Sequence, residues 1–353
     1  MRDLTRWNAV RYDDTFPEDA LRRIGEWCKV ERRAELASAQ GGLGATTSKP
    51  EGDQHAGAGP AGPELTQAAG ASRLMVEFVT PTMERATSPS VLTPGQNWTV
   101  PGVGIDMLWV APGSFVMGSP ESETGRSADE AQHRVMLTKG FWLGKYSVTQ
   151  RQWQEVMGTT PSFFRKGRVL KNRGLFTRSV IFQEETQDNP VEGVSWLDAL
   201  CFCETLNDMA KSTEWPSLGV QYSLPTESQW EYACRAETGG PYSGTRLLDG
   251  MGWYSGNSGG RPHPVGQKKP NAWGFYDMHG NVWEWCRDWY LATYPEGLVV
   301  DPAGPQAGGL RVYRGGSWNS SGKLCSSAYR GRCEPNIRSE EHTSELQSQN
   351  AIS

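Results

Sequence analysis

What the chain does not have narrows it first. No stretch approaches the roughly 18 consecutive apolar residues of a membrane span, so no membrane partner is expected. Its 35 Lys and Arg stand against 40 Asp and Glu, for a formal net charge of -5, and the basic residues are scattered. Without a Lys/Arg block to follow a phosphate backbone, nucleic acid is not an expected partner either. The first residues, MRDLTRWNAVRYDD, include no apolar segment of the signal-peptide kind, which predicts a cytoplasmic chain. Histidine is scarce, with 5 in 353 residues. The 7 cysteines form no short metal-type pairs. Cys201 and Cys203 stand too close for a zinc knuckle, and the spacing is not that of a disulfide scaffold.

In excess are 41 glycines and 15 tryptophans. A helical bundle has no need of so much glycine. The pair suggests a loop-rich fold whose turns are set by glycine and whose loops are packed down by large aromatics.

Along the chain, Leu21, Ile24 and Trp27 recur at helical spacing, so residues 1–39 read as an N-terminal helical segment. Residues 40–100 read as a flexible linker and extended segment: 40–73 are mostly small and polar, and LMVEFV near 74–79 suits a short strand. A compact domain is expected over 101–338. Residues 339–353 end in a polar, patternless run that reads as a disordered tail foreign to the domain. Within the domain, IDMLWVAPGSFVMGS predicts two strands around the Pro112-Gly113 turn. HRVMLTKGFWLGKYSVT alternates in the same way, broken at Gly140 and Gly144. Thr149, Ser195 and Thr226 each stand three residues before Gln152, Asp198 and Gln229, the capping-box spacing, and predict three helix starts. After Arg235 only turns and short strands are expected, giving a mixed α+β domain.

The stretches APGSFVMGS, FWLGKYSVTQRQWQEVMG, NPVEGVSWLDALCFC, YSLPTESQWEYACRA, NAWGFYDMHGNVWEWCRDWY and RVYRGGSW follow one another over residues 105–338. In this order and spacing the chain resembles the formylglycine-generating enzyme family, also called the sulfatase-modifying factors. The resemblance implies an α+β fold of the C-type-lectin-like kind, with few helices, short strands and much irregular loop. It also implies a structural Ca²⁺ held in DMHGNVWEW by Asp277, the Gly280 and Val282 carbonyls, and Glu284, residue types that suit a hard cation. The family's other calcium loop falls near 251–262, where MGWYSGNSGGRP has no carboxylate, so that site reads as lost. Iron-dependent relatives carry an added histidine-bearing domain, but residues 1–100 hold only His55.

In the family's oxidase, two cysteines five residues apart follow the GGS turn and bind Cu(I), which suits a pair of soft thiolates. By the resemblance, Cys325, Ser317 and Trp283 match the catalytic pocket, while Ser320 stands where the other cysteine would be. A neutral hydroxyl is a poor Cu(I) ligand. The expectation is therefore a domain with an impaired copper site acting as a ligand- or protein-binding module, with a protein or peptide partner. One variant is a diversified binding protein whose variable region lies in this C-terminal segment. The alternatives are an active copper-dependent oxidase converting a protein cysteine to formylglycine, and a different enzyme using the same pocket. Glu227 and Glu231 read as a charged helix N-terminus matched to its dipole. His133, His263 and His279 read as isolated structural or surface residues.

Overall fold

The computed structural model describes residues 73–78, 94–166, 169–171, 179–181, 185–212, 220–243 and 247–338. The N-terminal segment expected over 1–39, the linker over 40–72 and the tail over 339–353 lie outside the described residues.

A five-stranded sheet forms the base, in the order β2 (Trp98–Val100), β3 (Ile105–Val110), β6 (Phe141–Gly144), β1 (Met75–Phe78), β9 (Val220–Ser223). The strand anticipated in LMVEFV is thus β1, and it pairs antiparallel with both β6 and β9. Two strands that precede Pro101, β1 and β2, thus belong to the sheet. β4 (Gly113–Met117) and β5 (His133–Leu137) pair antiparallel, and β11 (Leu298–Val300) joins β5 in parallel. A third sheet has the order β10 (Glu284–Trp289), β12 (Arg311–Arg314), β13 (Gly331–Cys333). β7 (Val169–Lys171) and β8 (Ser179–Ile181) form a separate hairpin.

The three expected helices are present: α1 (Gln150–Met157), α2 (Trp196–Ser212) and α3 (Glu227–Arg235). Each starts where its capping box placed it. Thr149 and Thr226 accept the Gln152 and Gln229 amides, and each glutamine side chain returns a bond to the cap's own N–H. At α2 the shorter Asp198 still closes the box, accepting from the Ser195 amide at 2.8 Å while its own amide donates to Ser195 Oγ at 3.1 Å. These bonds satisfy amides that have no partner inside the helix.

Tryptophan fills the interior as the composition suggested. Trp142, Trp230, Trp283 and Trp285 are fully buried. Trp283 and Trp285 pack edge-on against Tyr313, and Trp153 stacks on Phe202 between α1 and α2. Charge is buried as well. Glu227 and Glu231 are not an exposed helix terminus. Glu227 takes Arg330 through both oxygens, and Glu231 bonds Arg314 and Arg235. Buried carboxylates persist only when paired in this way. Cys201 is disulfide-bonded.

Candidate functional site

The turn at residues 277–284 organises the loops around it. Gly280 has φ +96, and a side-chain carbon there would stand 2.1 Å from the Trp253 carbonyl oxygen. Its N–H donates to the Gly315 carbonyl at 2.7 Å, and the Asn281 N–H donates to that of Trp253. The Asn281 side chain bonds the His263 backbone in both directions, and its carbonyl accepts from the Trp318 amide. One turn therefore fixes both the 253–263 loop and the GGS turn at 315–317.

Ser317, Ser320 and Cys325 converge beside it. Ser320 Oγ accepts from the Ser317 amide at 3.0 Å and lies 2.9 Å from Ser317 Oγ, which in turn donates to Asn319 Oδ1. Cys325 is fully buried as a free thiol, raised to about 12 by burial against a lowering contribution from the Ser317 amide. Gly316 makes room for it, since a side-chain carbon there would approach its sulfur to 2.4 Å. Trp283 lies under the same segment, against Tyr313 and Tyr329, with its indole N–H unpartnered.

The sequence treated His279 as isolated, yet it is a clamp in this site. The Ser243 amide, always a donor, points at its Nε2 from 3.0 Å. Nδ1 therefore carries the proton and donates to the Cys325 carbonyl at 2.8 Å. Burial lowers the ring to about 4, so it stays neutral. No spacing signal exposed this role, because its partners lie 36 and 46 residues away.

Neither implied metal fits the residues present. Cu(I) would find one buried thiol at Cys325, and a hydroxyl at Ser320 that is already engaged with Ser317. Cys333 does not supply the second sulfur from the turn, because it sits on β13 opposite Arg311. For calcium, Asp277 Oδ1 is buried without a partner, and burial raises that carboxyl to about 6. Its Oδ2 accepts from the Gly266 amide. Glu284, however, is fully engaged by protein groups: both oxygens face Arg73, Ser147 donates at 2.6 Å, and Trp230 Nε1 donates at 2.7 Å. As arranged, the groups at Asp277, Gly280, Val282 and Glu284 do not fit the calcium expected there. Among the described residues, no group of three or more His, Cys, Asp or Glu could hold a metal ion.

A cleft of about 220 Å³ opens next to this site, lined by Phe164, Asn189, Arg261, His263 and neighbours. Trp318 meets Phe164 edge-on at 5.3 Å, and His263 stacks on Trp253 at 3.8 Å. Asn189 leaves a buried side-chain oxygen without a partner.

The family described as "Sulfatase-modifying factor enzyme 1-like domain" matches residues 99–342. The chain belongs to the sulfatase-modifying factor family. It is 32% identical to the "Chaperone protein LppX" of Paenibacillus barcinonensis over 282 residues, covering 66% of this chain and 86% of that one. It is 36% identical to the "Formylglycine-generating enzyme" of Streptomyces coelicolor over 168 residues, 43% of this chain and 48% of that enzyme. The match thus spans about half the length of the Streptomyces relative. Among solved structures, "Treponema denticola variable protein 1" superposes with a TM-score of 0.57 at 29% identity, covering 69% of this chain and 95% of that one. PvdO from Pseudomonas aeruginosa does so at 0.55 and 25%, covering 70% and 95%. The fold is the C-type-lectin-like α+β fold of this family.

Proposed function

We propose that this sulfatase-modifying factor domain is a non-oxidising binding module that takes a protein or peptide ligand on the loops at 253–263 and 317–330. One observation carries the reading. The Ser320 hydroxyl, where the resemblance implies the family's other cysteine, spends its hydrogen bonds on Ser317. Cu(I) requires two soft ligands, and a protonated hydroxyl beside a thiol raised to about 12 does not supply them. Two further features support a polypeptide ligand. The cleft at Phe164 and His263 offers aromatic walls beside the polar side chains of Glu185, Thr186 and Gln267, a mix that suits a peptide segment. A relative that this chain covers for most of its length bears the name of a chaperone, which by that name works on other proteins.

The reading is tested by Cu(I) titration of the purified chain with thiolate–copper absorbance as readout, followed by incubation with a peptide carrying a sulfatase-type Cys-x-Pro-x-Arg motif. Neither tight copper binding nor oxidation of the peptide is expected. Tight binding with turnover would return the chain to the alternative, the copper-dependent oxidase. Ser320→Cys is expected to raise copper affinity, because Cys325, Ser317 and Trp283 keep their places.

A further inference from the structure

We propose that the guanidinium of Arg73 is the resident cation of the 277–284 turn, in place of calcium, so that the fold is calcium-independent and depends instead on a strand delivered from upstream. Arg73 is fully buried, and Glu284 is 1% exposed. Nε and Nη2 each lie 3.2 Å from a different oxygen of the Glu284 carboxylate, a two-pronged pairing. The remaining directions are filled by carbonyls: Nη1 donates to Gly144 and Nη2 to Tyr276, both at 2.5 Å. Carboxylate and carbonyl oxygens converging on one positive centre are the donor set a hard cation would take. Here that centre is covalent. Trp230 Nε1 and Ser147 Oγ complete the Glu284 shell from two other elements.

The carrier of this charge is informative. Arg73 lies just before β1, the strand that joins β6 to β9. The family match begins only at residue 99, so both strand and cation come from outside it. Docking of β1 thus does two things at once: it completes the sheet, and it neutralises a carboxylate that would otherwise be buried and unpaired. Asp277 Oδ1 is buried with no hydrogen-bond partner and offers a single ligand atom.

The test is the melting temperature of the full chain, with EGTA and with millimolar calcium. Identical values are expected, and calorimetric titration with calcium should show no binding. Arg73→Met, which keeps bulk and removes charge, should melt about 10 °C lower. Arg73→Ala, which leaves room for the missing group, should recover part of its loss in millimolar guanidinium, far below denaturing levels, and the starting protein none. If Arg73→Met does not fold, Arg73→Lys, which keeps the charge without the fork, should fold with a lowered melting temperature. A drop of the starting protein's melting temperature in EGTA would overturn the proposal, as would Arg73→Met melting with it.

Discussion

Single atoms decide two features of the site. At Gly280 the backbone is left-handed, and any side chain meets the Trp253 carbonyl at 2.1 Å. The carbonyl cannot retreat, because it accepts the Asn281 amide. Gly280→Ala combines strain with a backbone clash and is expected to cost on the order of 3 kcal/mol or more, read as a shift of the denaturant midpoint. At Cys325 burial governs reactivity. A fully buried thiol raised to about 12 presents almost no thiolate at neutral pH. Iodoacetamide is expected to spare the Cys325 peptide in native protein at pH 8 and to label it after unfolding. Labelling at the rate of an exposed thiol under native conditions would mark Cys325 as a working nucleophile and count against the binding reading. Gly316 belongs to the same logic, since its missing side chain is what admits the sulfur beneath the GGS turn.

Among the elements, β1 matters most for its length. It holds β6 and β9 together, and the residue before it neutralises Glu284. A chain shortened to begin at Pro101 loses β1, β2 and Arg73 together. It leaves β9 without a partner and Glu284 as an uncompensated buried charge. The expected outcome is loss of cooperative unfolding and of near-UV circular dichroism; a truncated chain that melts like the full one would refute the role given to β1. How far these elements could be read beforehand follows from the range of the forces that make them. The boxes at Thr149, Ser195 and Thr226 act over three residues, and each helix starts at its box. Strands β3 to β6 were equally legible, their breaks marked by Pro112-Gly113, Gly140 and Gly144. Arg73 was not legible, because its partners Gly144, Tyr276 and Glu284 are 71, 203 and 211 residues away. Glu227 was misjudged for the same reason: its place at a helix start was local, whereas the Arg330 that takes it inside is 103 residues distant. At the candidate site Ser317, Ser320 and Cys325 are near one another in the chain, so their proximity was legible, but the His279 clamp depends on contacts that no spacing encodes.

Across the whole molecule, buried titratable groups give the stability an unusual pH profile. Asp288 is buried beneath the start of α3, where it accepts the Glu227 amide. Burial first, and then the neighbouring Glu227 charge, raise it to about 7. Asp277 is raised to about 6, also by burial. Between pH 7 and about 4 the folded chain therefore holds protons on these two carboxyls that the unfolded chain, with ordinary carboxyls near 4, does not. Stability contributed in this way is complete at low pH and is lost as pH rises through 6 to 7. His279 runs the other way. Its folded value, about 4, lies below the ordinary 6.5, so between those values the unfolded chain takes up the extra proton and stability falls on acidification. Glu204, raised to about 7 by burial, adds a third rising contribution, and three rising contributions against the falling one leave a net gain as pH drops from 8 towards 5. Below that, Glu227, whose carboxyl is held down by Arg330 and Arg314 against its burial, must be protonated and the network opens. The expected maximum of unfolding free energy is near pH 5, above the value at pH 8, measured by urea denaturation at several pH values. Asp288→Asn keeps an acceptor for the Glu227 amide while removing the titration. It should reduce the gain between pH 7 and 5, leaving the share of Asp277 and Glu204, and leave the loss below pH 4 in place. A profile for Asp288→Asn parallel to that of the starting protein across pH 5 to 8 would show that Asp288 is already ionised in the fold.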